Sequence, residues 1–174
     1  NVPLFVYFLL GAAILTGSLI GWFMAMKVKM TKMPELVSLF NGFGGASAMV
    51  IGLIEFMKNT HVDDTQKVGS AIIATILSAI LIGAITFTGS VVAWAKLDGS
   101  MKDLRLPHYN LLNNILLLVL IIISVFIVYT DTDNIFFVYL LLILSLLYGY
   151  LFVVPIGGAD MPVVISLLNS LTGV

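Results

Sequence analysis

The sequence contains no cysteine, which removes disulfides, thiolate metal sites and thiol nucleophiles together. Charge is scarce as well. Only 10% of the 174 residues are Asp, Glu, Lys or Arg, against about 25% in an average soluble domain. So few charges cannot coat a water-soluble globule of this size, and a soluble enzyme, a nucleic-acid-binding domain and a disordered linker are all excluded. The formal net charge of −1 gives no hold on a polyanion, nucleic acid included. Proline is missing from the interiors of the long runs too. All five prolines, Pro3, Pro34, Pro107, Pro155 and Pro162, stand at the edges of apolar segments. What is abundant is apolar surface: 60% of the residues are hydrophobic and the mean hydropathy is +1.14. The solvent that suits such a chain is hydrocarbon.

A helix that crosses a bilayer needs about 20 mostly apolar residues. Runs of that kind cover Pro3 to Met26, Pro34 to Met57, Val68 to Ala95, Asn110 to Tyr129 and Asn134 to Val154. A sixth opens at Asp160 or Pro162 and reaches only Val174, about 13 residues and too short to cross. The predicted fold is therefore an all-α, polytopic transmembrane helix bundle, with five full spans and the start of a sixth. Its two ends read as those of an excerpt from a longer polypeptide. The first run has no basic stretch before it and is too long for a signal-peptide core, so it counts as a span. Pro34 and Pro162 suit the first turn of a helix, where a missing N–H costs nothing.

Loop charge gives a direction. Lys27, Lys29 and Lys32 lie in loop 27–33, and Lys96, Lys102 and Arg105 in loop 96–109, while loop 58–67 has only Lys58 and Lys67 and loop 130–133 has none. Basic residues collect on the cytoplasmic side, which places loops 27–33, 96–109 and, by alternation, 155–160 in the cytoplasm. Trp22, Trp94, Tyr129 and Tyr7 sit near span ends, where interfacial aromatics belong. No pair of Gly/Pro-interrupted spans marks the unwound helices of a transporter, and no internal repeat is visible.

The spans are of two kinds. Runs 110–129 and 134–154 are dense in Leu, Ile, Val and Phe on every side and are expected at the lipid-facing periphery. Runs 34–57 and 68–95 are rich in Gly, Ala, Ser and Thr, which let helix backbones approach closely in a bilayer. Ser38, Asn41, Gly45, Ala48, Gly52 and Glu55 share one face, and Thr75, Ala79, Gly83, Thr86, Ser90 and Ala93 share another. Pro162, Ser166, Asn169 and Gly173 form a third such stripe in the short sixth run. The three stripes suggest a tight inner bundle with a polar axis. Gly45, Gly52, Gly83 and Gly89 are the expected helix-packing positions. Asn41 and Asn169 have two readings, structural glue and functional site, because an amide in hydrocarbon must meet a partner or water. Glu55 lies about 21 Å along the helix from Asn41 and reads as an exposed interfacial carboxylate.

Chemistry-bearing residues are few. His61 and His108 fall in loops and read as solvated. Asp63 and Asp64 beside His61 have no further ligand of the right type nearby, so no metal site is expected. Asp160 before Met161 and Pro162 reads as a helix N-cap. Gly42, Gly44 and Gly45 lie inside an apolar span with no preceding strand, and Gly157 and Gly158 also lack one, so neither cluster is a phosphate cradle. The chain shows no nucleophile, metal cage or cofactor loop.

Three collinear blocks carry a specific pattern: MTKMPELVSLFNGFGG from Met30, TFTGSVVAWAKL from Thr86, and PIGGADMPVVISLLNS from Pro155. Together, across about residues 15–174, they resemble the membrane domain of the beta subunit of proton-translocating NAD(P) transhydrogenase. The third block is the most specific of the three. The resemblance implies a transmembrane proton-channel domain over 1–174, coupled to hydride transfer between NAD(H) and NADP(H) in soluble domains outside this chain. It implies a further span and an NADP(H)-binding domain beyond residue 174, and another span before Asn1. It also implies an alpha-subunit partner, a homodimeric complex and the bacterial inner membrane, with no dinucleotide bound by this chain itself. Asn169 matches the family's functional polar position in the sixth helix, Ser90 with Gly89 matches the polar position of the TGS block, and Asp160 matches the cytoplasmic-loop aspartate that faces the NADP(H) domain.

The chain departs from relatives that carry a proton-bearing histidine where Asn41 stands. Asn cannot carry a proton. The alternative in the family is a histidine supplied by an alpha-subunit helix, and that arrangement is expected here, with Asn41, Ser90 and Asn169 forming the proton-passing set. Composition alone also admits a secondary transporter or channel subunit for a small solute, or a structural assembly subunit in which the polar stripes are only glue.

Overall fold

The computed structural model describes residues 2–60, 69–104, 108–130 and 134–173. His61, Asp63, Asp64, Lys67, Arg105, Pro107, Asp131 and Asp133 fall outside them. The described residues form helices α1 (Leu4–Lys27), α2 (Met33–Thr60), α3 (Ser70–Leu97), α4 (Tyr109–Thr130), α5 (Ile135–Val153) and α6 (Met161–Thr172), with no strand. Tight 3₁₀ turns, Met30–Lys32 and Gly158–Asp160, lead into α2 and α6. Among the described residues five helices are long and apolar enough to cross a membrane. Each apolar run of the sequence became one helix, with ends displaced by at most three residues.

The chain divides into two compact units, Asn1–Met33 and Pro34–Val174. The first is essentially α1. None of its residues is buried, and Gly11, Gly17 and Gly21 have open space where a side chain would stand. Lys27 lies 4.2 Å above the Phe23 ring, a contact that lets the ammonium remain at a span end while its stem covers apolar surface.

The second unit is organised around α3. Two apolar clusters fill its two halves, and α3 contributes to both. At one end Ile73, Leu77 and Ile80 of α3 pack with Phe56 of α2, Leu120 and Ile127 of α4, and Val138 and Leu141 of α5. At the other, Val92 and Ala93 meet Val153 and Val154 with Met161, Val164, Ile165 and Leu168 of α6. Lipid tails are as apolar as Leu, so burial from water cannot assemble these helices; close packing must. The glycines permit it. A Cβ on Gly45 would stand 2.7 Å from the Gly83 carbonyl, and one on Gly83 would stand 2.6 Å from the Gly45 carbonyl and the Met49 amide. Gly52 faces Ile80 in the same way, and Gly89 faces Leu168 and Val153.

Helix α5 differs from the expected lipid-facing periphery. Val138, Leu141, Ser145, Gly149 and Val153 are buried, in steps of three and four. A Cβ on Gly149 would collide with the Thr88 hydroxyl and the Ile85 carbonyl of α3. The pair Ser145 and Gly149 is a small-xxx-small step within a leucine-rich run, and it turns that face onto α3. The opposite face, with Phe136, Tyr139, Ile143 and Leu147, is exposed. Helix α4 likewise buries a stripe, Asn113, Leu120 and Ile127.

Helix α6 also differs. It packs on α3 through Met161, Val164, Ile165 and Leu168, while Pro162, Ser166, Asn169 and Gly173 are exposed. Two of the three small-and-polar stripes face each other, and the third points away from the packed unit.

Candidate polar site between α2 and α3

Residues Ser38 and Asn41 lie one turn apart on the face of α2 that Gly42 and Gly45 hold against α3. Opposite them stands Ser90, fully buried, as is Ser38. The Ser38 hydroxyl donates to the Ser90 carbonyl at 2.8 Å, and the Asn41 amide donates to the Ser90 hydroxyl at 3.0 Å. From α6 the Thr172 hydroxyl approaches the Asn41 amide oxygen at 3.4 Å while also donating to the Asn169 carbonyl at 2.8 Å. One turn from Ser90, the buried Thr86 hydroxyl has no hydrogen-bond partner. By helix rise, Asn41 and Ser90 lie about 8–10 Å from the midpoints of α2 and α3, toward the end carrying loops 27–33 and 96–109.

The cluster therefore consists of an amide and hydroxyls. Each can pass a hydrogen bond, and none can hold a proton near neutral pH. Beyond Thr172 a cavity of about 180 Å³ runs between α2, α3 and α6, lined by Thr75, Ser78, Gly83, Leu171 and Thr172 among others. Its volume accommodates several waters, and three hydroxyl-bearing side chains border it.

Of the remaining expected site residues, Asn169 is exposed on α6 and stands outside the cluster, although its backbone carbonyl takes the Thr172 hydroxyl. Asp160 is exposed and closes the Gly158–Asp160 turn through its amide, which donates to the Gly157 carbonyl at 3.0 Å. Its side chain makes no capping bond. Asp160 does occupy the N-cap position of α6, as its place before Met161 and Pro162 suggested, but in helical rather than extended backbone (φ −92°, ψ −1°), and the capping bond expected of an Asp there is not made. Glu55 is an exposed carboxylate, paired with Lys58 at 2.6 Å. His108 is exposed with φ 57°, while His61 lies outside the described residues. No group of three or more His, Asp or Glu that could hold a metal occurs among the described residues.

At the end of the unit where α3 and α5 finish, the structure gathers a second polar group that loop charge alone did not reveal. Lys96, counted from sequence as a loop cation, is buried in the last turn of α3. Its ammonium donates to the Asp103 carboxylate at 2.9 Å, to the Ile156 carbonyl at 2.6 Å and to the Val154 carbonyl. From α4 the Tyr109 hydroxyl donates to the Phe152 carbonyl at 2.9 Å and accepts from Asn113 at 3.0 Å.

Against known proteins, residues 2–174 match the family NAD(P) transhydrogenase beta subunit. The chain belongs to that family. Two relatives, both NAD(P) transhydrogenase subunit beta from Rhodospirillum rubrum and one of them from a specified strain, are each 34% identical over 165 residues. That stretch covers 92% of this chain and 35% of each relative, so the chain spans about a third of their length. With five helices among the described residues long and apolar enough to cross a membrane, and this membership, the chain is a multi-pass membrane protein.

The family name brings NAD(P) with it, and the glycine clusters of the described residues do not have the form of a dinucleotide cradle. Gly42, Gly44 and Gly45 lie within α2, so their amides are committed to the helix rather than offered to a pyrophosphate. No strand precedes a glycine turn among the described residues.

Proposed function

We propose that this chain forms part of the transmembrane proton path of a proton-translocating NAD(P) transhydrogenase. In this reading, hydride passes between NAD(H) and NADP(H) in domains outside the chain. The observation that carries the proposal is the buried Ser38–Ser90–Asn41 hydrogen-bonded group between α2 and α3. Polar side chains inside a span are costly, and two helices that needed only to pack could do so on glycine alone. The family membership supplies the coupled reaction.

Because the cluster holds no titrating group, the path needs water and a proton carrier from elsewhere. The exposed polar face of α6, with Ser166 and Asn169, is where a helix of the alpha subunit would approach with a histidine, and Thr172 on the same helix links that side to Asn41. Asn41 then passes a hydrogen bond between that carrier and Ser90. Six of the eight basic residues lie in the two connections α1–α2 and α3–α4 or in the last helical turn before them, which favours the cytoplasmic side of a bacterial inner membrane for those connections. Asp160, exposed between α5 and α6 on that side, is the group a docked NADP(H) domain would sense, within a homodimeric complex.

The test is Asn41→Leu in the assembled enzyme, reconstituted in vesicles. Leaving the Ser90 hydroxyl without its partner costs roughly 1–3 kcal/mol, so proton pumping should fall about tenfold while assembly persists. Undiminished pumping would remove Asn41 from the path.

A further inference from the structure

A lysine whose side chain is 1% exposed is unusual at the end of a spanning helix, where long cations normally reach for water. Lys96 instead turns inward. An ammonium has three N–H donors and no acceptor, and here each donor has its own oxygen: the carbonyls of Val154 and Ile156 and the carboxylate of Asp103. The two carbonyls belong to the residues that leave α5, at the negative end of that helix, where a cation is favoured. The Asp103 carboxylate arrives because the chain turns back after α3 through Gly99, whose φ of 79° is open to glycine.

The same contacts continue into the loop before α6. A Cβ on Gly157 would touch the Asp103 carboxylate at 3.7 Å, and one on Gly158 would lie 4.0 Å from the Lys96 carbonyl. The Tyr109 hydroxyl holds the neighbouring Phe152 carbonyl from the other side. The end of α5 is thus held by side chains of two helices, and of the two it is Lys96 that reaches into the loop.

We propose that Lys96 is the positioning residue of loop 154–160: its buried ammonium fixes the path from α5 into α6, and thereby where Asp160 and Asn169 stand. A displaced loop would leave a buried charge short of acceptors, so the fully bonded arrangement is strongly preferred. Lys96 and Ser90 ride on one rigid helix, six residues or about 9 Å apart. A loop that moves against Lys96 therefore moves against the helix that carries the polar cluster. The coupling part of this inference rests on the proton-path reading above; the positioning part does not.

The experiment uses the full-length subunit in the assembled complex. The chain has no cysteine, so a spin label at Ala159→Cys, an exposed position, is unique within it once cysteines elsewhere in the complex are replaced. Lys96→Met keeps the apolar stem and removes the charge. It is expected to mobilise the label several-fold and to lower the protons pumped per hydride at least twofold. Lys96→Arg, which keeps the charge, should fall between wild type and Lys96→Met in both readouts, an ordering that a mere volume effect does not produce. A label as immobile in Lys96→Met as in wild type overturns the proposal. A mobilised label with an unaltered proton-to-hydride ratio upholds the positioning role and overturns the coupling assigned to this loop. Should Lys96→Met fail to assemble, Asp103→Ala decides the matter, because it removes one half-exposed acceptor and spares both carbonyls. It must raise label mobility measurably, and an unchanged spectrum overturns the proposal.

Discussion

Two adjacent glycines in α2 offer a matched test of whether close packing builds the polar cluster. At Gly44 nothing lies within 4 Å of the place an alanine methyl would take, whereas at Gly45 that methyl would stand 2.7 Å from the Gly83 carbonyl, 2.8 Å from the Phe87 amide and 3.0 Å from the Thr86 Cβ. Two of these neighbours are backbone and cannot rotate away. An ordinary contact begins near 3.4 Å, so Gly45→Ala forces α2 and α3 apart by about 0.7 Å. One turn along α2, the Asn41–Ser90 hydrogen bond of 3.0 Å would stretch to about 3.7 Å, outside hydrogen-bonding range. Overpacking of this kind costs about 1–3 kcal/mol, and each interhelical hydrogen bond lost in a membrane adds roughly 0.6 kcal/mol. Gly44→Ala should be neutral or stabilising by up to about 1 kcal/mol, the helix-propensity gain of Ala over Gly. Thermal unfolding of the purified complex in detergent reads the first effect, and proton pumping in vesicles reads the second. Gly45→Ala should lose both stability and pumping, while Gly44→Ala keeps both. If the two variants behave alike, glycine contact does not set the α2–α3 spacing and the account of the cluster fails.

The other expectations concern elements whose roles differ from their appearance in the sequence. Gly149→Ala should destabilise the α3–α5 pair by about 1–3 kcal/mol, whereas Gly21→Ala, which faces open space on α1, should be neutral; detergent unfolding compares them. Asp160→Asn should leave unfolding within about 0.5 kcal/mol of wild type, since the carboxylate makes no capping bond. The same variant should alter the response of pumping to NADP(H), and an unaltered response would leave Asp160 without a part in coupling.

Much of this architecture could be read from residues alone, because its main signals are local. An apolar run of about 20 residues admits few structures in a bilayer, and each run here became one helix. The stripe of Ser38, Asn41, Gly45 and Gly52 was legible because residues three and four apart share a helix face, and the partner stripe on α3 was legible in the same way. Direction is another matter. Periodicity places Asn169, Ser166 and Pro162 on one face of α6, but which face turns to α3 depends on Met161, Val164 and Leu168 packing with Val92 and Ala93, far away in sequence. Helix α5 conceals its buried face for a related reason. Leucine suits a lipid tail and a neighbouring helix equally, so only Ser145 and Gly149 carried the information, and they are two residues in a run of nineteen. Lys96 was hidden by its own position: a cation at a span end satisfies the charge rule for loops whether or not it is buried. Its burial is decided by carbonyls 58 and 60 residues further on.

That last separation bears on how the protein is made. As the chain emerges into the membrane, α3 arrives when α2 is its only synthesised neighbour within the second unit. The Gly45–Gly83 contact and the Asn41–Ser90 pair can therefore form a helical hairpin before α4 exists. Lys96 has no such early companion beyond Asp103. Until Val154 and Ile156 are synthesised, its ammonium lacks two of the three oxygens it meets in the folded chain. The acceptor set of this one buried lysine is therefore complete only after the fifth helix has been translated.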